Sequence, residues 1–255
     1  MDDNNRYGVL ETQKYLIPIL IDLDKLCREH DIRYAISFGT LIGAVRHGGF
    51  VPWDDDIDIS FDRENYGKFL KIATEYLPEE YMIVEDMWVK RISRKDNPGV
   101  KKFPPERCID LFVFDNVPDS NSLLKKKLFR LKMLQGMLKT RIIYKNYAPV
   151  YKVLLFGTHV MGKFIPRKTK QKKYDEICQW GNDTITKYIN CFNAEFSYIS
   201  TQRHDSDLFD EYTDIEFEGH KFMTVAKWDK FLRTDYGDYM QLPPEEDRVP
   251  KHQEI

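Results

Sequence analysis

Residues 37–60 read SFGTLIGAVRHGGFVPWDDDIDIS, and this stretch decides the fold. A small-residue turn at Gly39-Thr40 comes about fifteen positions before the alternating run Asp56-Ile57-Asp58-Ile59. Read as a strand, that run puts Asp56 and Asp58 on one face and both isoleucines on the other. Two carboxylates side by side on an otherwise apolar strand repel each other, and a hard divalent cation relieves the repulsion. Mg2+ prefers one or two carboxylates plus substrate phosphates. The pattern therefore points to metal-assisted phosphoryl chemistry with Mg2+ or Mn2+.

Working outward, Leu16, Leu20, Leu23 and Cys27 recur at helical spacing and predict a helix over 9–30, with Pro18 as a possible bend. RYAISF, residues 33–38, predicts a strand ending at Gly39. Thr40 then caps a short helix that Gly48-Gly49 ends. Asp62 is the predicted N-cap of a helix over 63–76. Strands follow at YMIVEDM and WVKRIS, then turn material around 97–105, then the strand CIDLFVFD carrying Asp110. Helices are expected over 123–147, 150–165 and 174–190. SYISTQ and EFEGHKFM predict strands, the latter with Glu218-Gly219 in a hairpin turn, and 226–236 predicts a short helix. This order gives an α/β (α+β) fold with a mixed sheet flanked by helices. The expected organisation is a catalytic core over 1–118, a basic helical insertion over 119–190, and a C-terminal segment over 191–255 that completes the cleft.

The 255 residues include 42% apolar and 14% aromatic side chains, which argues against disorder. The net charge of -2 hides an asymmetry. Residues 120–174 hold fifteen Lys or Arg and no Asp or Glu, leaving about -17 on the rest. MDDNNRYG lacks the basic and apolar regions of a secretory signal, and no apolar run approaches a membrane span. The expected location is cytoplasmic, peripheral on the inner face of a membrane. The four cysteines show no CxxC spacing and read as reduced thiols. Bases interleaved with Leu, Phe and Met over 123–173 suit a helix lying in a membrane interface; the alternatives are a solvated face or an anionic-polymer groove. No nucleic-acid-binding motif accompanies the charge.

Asp56, Asp58 and Asp110 form the leading catalytic and metal-ligating set, because two-metal phosphoryl transfer needs about three carboxylates on a rigid element. Asp110 is also a candidate proton acceptor. The alternative is a solvated acidic loop with Asp110 on the surface. A calcium loop fails, because Ile59 and Asn65 stand where Gly and Glu are required. Gly39 and Thr40 present backbone N–H groups suited to phosphate. Arg46 suits a diphosphate oxygen, and His47 suits either phosphate or a neighbouring carbonyl. Period two lets only one of Lys90 and Arg91 face the cleft; Lys90 is the substrate candidate, against a solvated face. Trp53, Trp88, Tyr236 and Tyr239 are candidates for a cation–π cage, against ordinary packing. His252 is a phosphate candidate in the tail, whereas His30, His159, His204 and His220 have no metal spacing.

FGTLIGAVRHGGFVPWDDDIDI closely resembles the core motif of the LicD family, which also contains fukutin and fukutin-related protein. YGDYMQLPPEEDR with His252 resembles its C-terminal motif. The likeness covers 10–118 and 210–252 well and the basic middle poorly. It implies a nucleotidyltransferase-like fold and a Mg2+-dependent transfer of a phospho-alcohol, such as phosphocholine or ribitol phosphate, from a CDP-activated donor to a glycan. Cell-wall teichoic acid, lipopolysaccharide and lipid-linked glycans are acceptors of that kind. By position Asp56 and Asp58 match the family's metal ligands and Asp110 its later carboxylate. At the turn, Gly39-Thr40 departs from the Gly-Ser or Gly-Gly of the wider fold. A nucleotidyltransferase moving NMP onto a sugar or small molecule is the second expectation, and a non-catalytic glycan- or lipid-binding adaptor the third.

Overall fold

Leu10–Glu29 forms α1, Ala35–Ile36 β1, Phe38–His47 α2, Ile57–Asp62 β2 and Arg63–Tyr76 α3. Tyr81–Asp86 is β3, Val89–Arg94 β4, Ile109–Asn116 β5, Asn121–Leu138 α4, Pro149–Lys163 α5 and Arg167–Cys178 α6. Tyr188–Cys191 is β6, Phe196–Thr201 α7, His204–Asp205 β7, Tyr212–Phe217 β8, His220–Val225 β9 and Trp228–Tyr236 α8. The computed structural model describes residues 6–98, 107–139 and 149–250. The expected mixed α/β architecture is what forms.

The chain divides into two compact units, one of residues 1–86, 90–114 and 207–255, the other of 87–89 and 115–206. In the first, strands run in the order β1-β2-β5-β4-β3. β2 and β5 are parallel, with Asp58 opposite Asp110. β4 is antiparallel to β5, with Arg91 opposite Asp110. Most of β5 is buried, as suits a strand with neighbours on both sides. α1 buries Leu16, Ile19, Leu20, Leu23, Leu26 and Cys27 at helical spacing and runs on through Pro18. Asp62 caps α3 by accepting from Asn65 N at 2.8 Å, as its position predicts. The hairpin of β8 and β9 turns at Glu218 and Gly219, both at positive φ.

The second unit holds α4, α5 and α6 and the antiparallel pair of β6 and β7. It takes in the described part of the basic stretch. Gly136 and Gly162 let α4 and α5 approach closely: a Cβ on Gly136 would meet Thr158, and one on Gly162 the Met137 backbone. Lys127 and Lys170 are buried here. Lys127 Nζ donates to the carbonyls of Asn116 and Trp180 at 3.1 and 3.0 Å, and Lys170 Nζ to those of Met137 and Gly162 at 3.0 and 2.6 Å.

Four local expectations change. Gly39-Thr40 is not a turn after a strand but part of the first turn of α2, because Phe38 takes φ 49° right after the extended Ser37 and begins the helix itself. The carboxylate run shifts too: β2 starts at Ile57, so Asp54, Asp55 and Asp56 lie in the loop before it. SYISTQ falls in the helix α7; it buries Ile199 and none of the alternate positions a strand would bury. The helix expected over 174–190 begins earlier and stops at Cys178, shortly before Gly181 at φ 101°. The continuation of α4 expected to residue 147, most of the 97–105 turn, and His252 lie outside the described residues.

Candidate active site

Phe38 is where the site begins. A non-glycine residue at φ 49° is strained, and aromatic packing holds it: its ring lies 5.0 Å from Phe112 and 5.5 Å from Phe231. The helix that starts there is latched to the acidic strand. Ser37 N donates to Asp58 O at 3.0 Å, Asp58 N donates to Thr40 Oγ1 at 2.8 Å, and the Ser60 hydroxyl meets that of Ser37 at 2.7 Å. Thr40, expected to receive phosphate, fixes the backbone of Asp58.

Gly39 makes room for a carboxylate. A Cβ there would sit 2.7 Å from Asp54 Oδ2. The Asp54 carboxylate therefore lies over the N-terminal turn of α2, where the helix dipole favours negative charge. Gln13 Nε2 donates to Asp54 O at 2.8 Å and steadies the loop. Carboxylate oxygens of Asp54, Asp55 and Asp56 lie within 4.8 Å of one another. This all-oxygen donor set is of the kind hard cations take, so the residues present fit Mg2+ or Mn2+. Three neighbouring carboxylates also carry a repulsion that a cation relieves.

Tyr236 lines a cavity beside Asp54. Burial of its hydroxyl, then the carboxylates of Asp58, Asp235, Asp54 and Asp56, pushes the phenol well above the usual tyrosine range. The residue as a whole keeps 46% of its surface exposed.

Asp110 stands beside Asp58 in register, 7% exposed. Arg91 Nε and Nη2 donate to its two oxygens at 2.6 and 3.0 Å, while Nη1 donates to Asp86 at 2.7 Å. Burial opposes the Arg91 charge, but Asp110 and Asp86 override it and hold the guanidinium firmly protonated. Of the two adjacent bases it is Arg91 that turns to the carboxylate; Lys90 pairs with Glu85. Alternation had flagged the choice, and only register resolves it.

A cavity of about 500 Å³ adjoins the acidic loop, lined by Gly39, Arg46, Trp53, Asp54, Tyr236 and Tyr239 among others, with the 241–244 segment as a wall. Arg46 Nη1 donates to Tyr239 O at 2.8 Å and Nε to His47 Nε2 at 2.9 Å. Burial, then Arg248, lowers the Arg46 pKa; Arg46 is in the lining and Arg248 is not. Burial and Arg46 likewise lower the His47 pKa. Trp53 meets Tyr7 edge-on at 5.6 Å and the Arg248 guanidinium at 5.7 Å. Tyr239 is buried, its hydroxyl donating to Asp229 at 2.6 Å. Trp88 lies elsewhere, stacked on Tyr174, and is not in the lining. Sequence reasoning missed Asp54 and Asp55 as site residues, although the DDD run was in plain view. It chose Lys90 over Arg91 as the residue facing the cleft, and it weighed Tyr236 only as a cage wall.

Comparison with known proteins adds a second line. The family described as LicD/FKTN/FKRP, nucleotidyltransferase domain, matches residues 31–162. The chain is 30% identical over 261 residues to the lipopolysaccharide cholinephosphotransferase LicD of Haemophilus influenzae, covering 95% of each. It is 30% identical over 193 residues to an uncharacterised protein of Rickettsia typhi, covering 75% of this chain and 55% of that one. A shorter match, 35% over 57 residues, joins it to the human ribitol 5-phosphate transferase FKRP, covering 22% of this chain and 10% of that one.

Proposed function

The chain belongs to the LicD family, and on that premise we propose that it is a phosphotransferase moving phosphocholine or a similar phospho-alcohol from a CDP-activated donor to a cell-surface glycan. The observation that carries this reading is the cluster of the Asp54, Asp55 and Asp56 carboxylates, beside a cavity lined by Asp54, Trp53, Arg46 and Tyr236. Carboxylates and aromatic faces around one pocket suit a quaternary ammonium. The Arg46 guanidinium in the lining suits the diphosphate.

In this reading Asp54, Asp55 and Asp56, with Asp58 following on β2, would hold Mg2+ or Mn2+, which would supply neutralisation of the charge that develops on the departing phosphate. The glycan hydroxyl attacks the phosphorus that bears the alcohol, the bond to the bridging oxygen breaks, and CMP leaves. The hydroxyl proton goes to a carboxylate oxygen of Asp58. Asp110 is the weaker base of the set, because Arg91 engages both of its oxygens. Asp110 and Arg91 hold the strand beside Asp58. His47, kept neutral, accepts from Arg46 and fixes that guanidinium toward the cavity wall.

The acceptor is a glycan, in line with a relative named for lipopolysaccharide, and the basic segment 123–173 meets the membrane that carries it. In this reading the contact is peripheral, on the cytoplasmic face; no described helix is long and apolar enough to cross a membrane. The test is incubation with CDP-choline, CDP-ribitol or CDP-glycerol, Mg2+ and acceptor glycan. Release of CMP with labelled glycan is expected, and Asp58→Asn should abolish it. Release of pyrophosphate from an NTP instead would favour a nucleotidyltransferase. Glycan modification in cells that survives Asp58→Asn would favour an adaptor.

A further inference from the structure

The helix α5 is amphipathic the wrong way round for a helix facing water. Its inner side is small and polar: Thr158 and Gly162 are buried against Gly136 and Met137 of α4. Its outer side carries Val153, 73% exposed, Phe156, 58% exposed, and Met161, with Phe164, 83% exposed, just past its end. A water-facing helix places polar residues there. Phe129 on α4 is also exposed. Scattered exposed apolar residues are ordinary, but a contiguous apolar helix face marks a docking surface.

We propose that the outer face of α5 lies in the surface of an anionic lipid leaflet, Phe156 and Phe164 entering the acyl boundary and Lys152, Lys163 and Lys168 meeting the headgroups. This deepens the membrane contact of the proposed function and rests on it. Charge chooses the occupant. The segment 120–174 has fifteen bases and no acid, so a second copy docked face to face would set like charge against like, whereas anionic lipid complements it. The scaffold is prepared: Lys170 ties the end of α5 to the α4 backbone through the carbonyls of Gly162 and Met137. Binding then orders few groups, and the apolar face is presented without unfolding.

The test is co-sedimentation of the full chain with vesicles, without donor or acceptor. Vesicles of phosphatidylcholine mixed with phosphatidylglycerol should bind it, and those of phosphatidylcholine alone much less. Phe156→Glu with Phe164→Glu, and separately Lys163→Glu with Lys168→Glu, should each weaken binding at least about tenfold. Circular dichroism and the thermal shift given by CDP-alcohols should stay unchanged in both variants, since these side chains are exposed and outside the cavity lining. Failure of the parent chain to bind mixed vesicles, undiminished binding by either variant, or a dimer in light scattering that the Phe variant splits would each overturn the proposal. Loss of the CDP-alcohol response with vesicle binding intact would instead defeat the proposed function alone.

Discussion

Arg91 and Asp110 face each other across antiparallel strands, and the guanidinium fork donates to both carboxylate oxygens, at 2.6 and 3.0 Å. A third donor of the same guanidinium reaches Asp86. One cation thus serves two buried acids and holds β3, β4 and β5 together beside Asp58.

Arg91→Met leaves two carboxylates buried without it, a change that costs about 3–5 kcal/mol. Urea unfolding should read that loss. Arg91→Lys keeps the charge but not the fork, so it should lose less stability while still lowering turnover. Equal stability of the Met variant and the parent would contradict the triad.

Thr40→Val preserves shape and removes the acceptor for Asp58 N. A buried N–H without a partner costs about 1–3 kcal/mol. Thermal unfolding should show that loss, and activity should fall further than stability, because the strand end carrying Asp58 is released. Thr40→Ser should restore both in large part.

Gly39→Ala introduces a Cβ 2.7 Å from Asp54 Oδ2. The carboxylate swings away, and Ala's helix preference over Gly, about 1 kcal/mol, offsets the crowding, so the fold should survive. Mn2+ affinity, measured by calorimetry, should drop at least tenfold (about 1.4 kcal/mol). Unchanged metal binding would remove Asp54 from the ligand set.

His47 should titrate below the usual histidine value, because burial and then Arg46 disfavour its charge. Between the folded and ordinary values the unfolded chain binds the proton and the folded chain does not. The stability tied to this group is therefore complete above the ordinary value and declines as pH falls toward the folded one. The imidazole resonances of His47, followed by NMR against pH, give the midpoint. Arg46→Gln should raise it partway, burial remaining.

Much was legible along the chain. The apolar spacing of α1, the end of α2 at Gly48 and the cap at Asp62 are local patterns, and local patterns survive folding because the backbone imposes their periods. The helices of the basic middle were legible by the same logic, though not their ends. SYISTQ misled because β-branched and aromatic residues mimic a strand in so short a window.

The sequence by itself determined the mixed α/β class, the acidic run with its small-residue approach, and the split between a basic middle and an acidic remainder. Only the tertiary structure decided that Arg91, nineteen residues before Asp110, would clamp it. Only it decided that Tyr236 would line one cavity with Asp54, Trp53 and Arg46, and that α5 would turn its apolar side outward. The physical reason is range. Periodicity says which residues share a face, but strand register and helix packing choose which faces meet, and those choices rest on contacts between residues far apart in the chain.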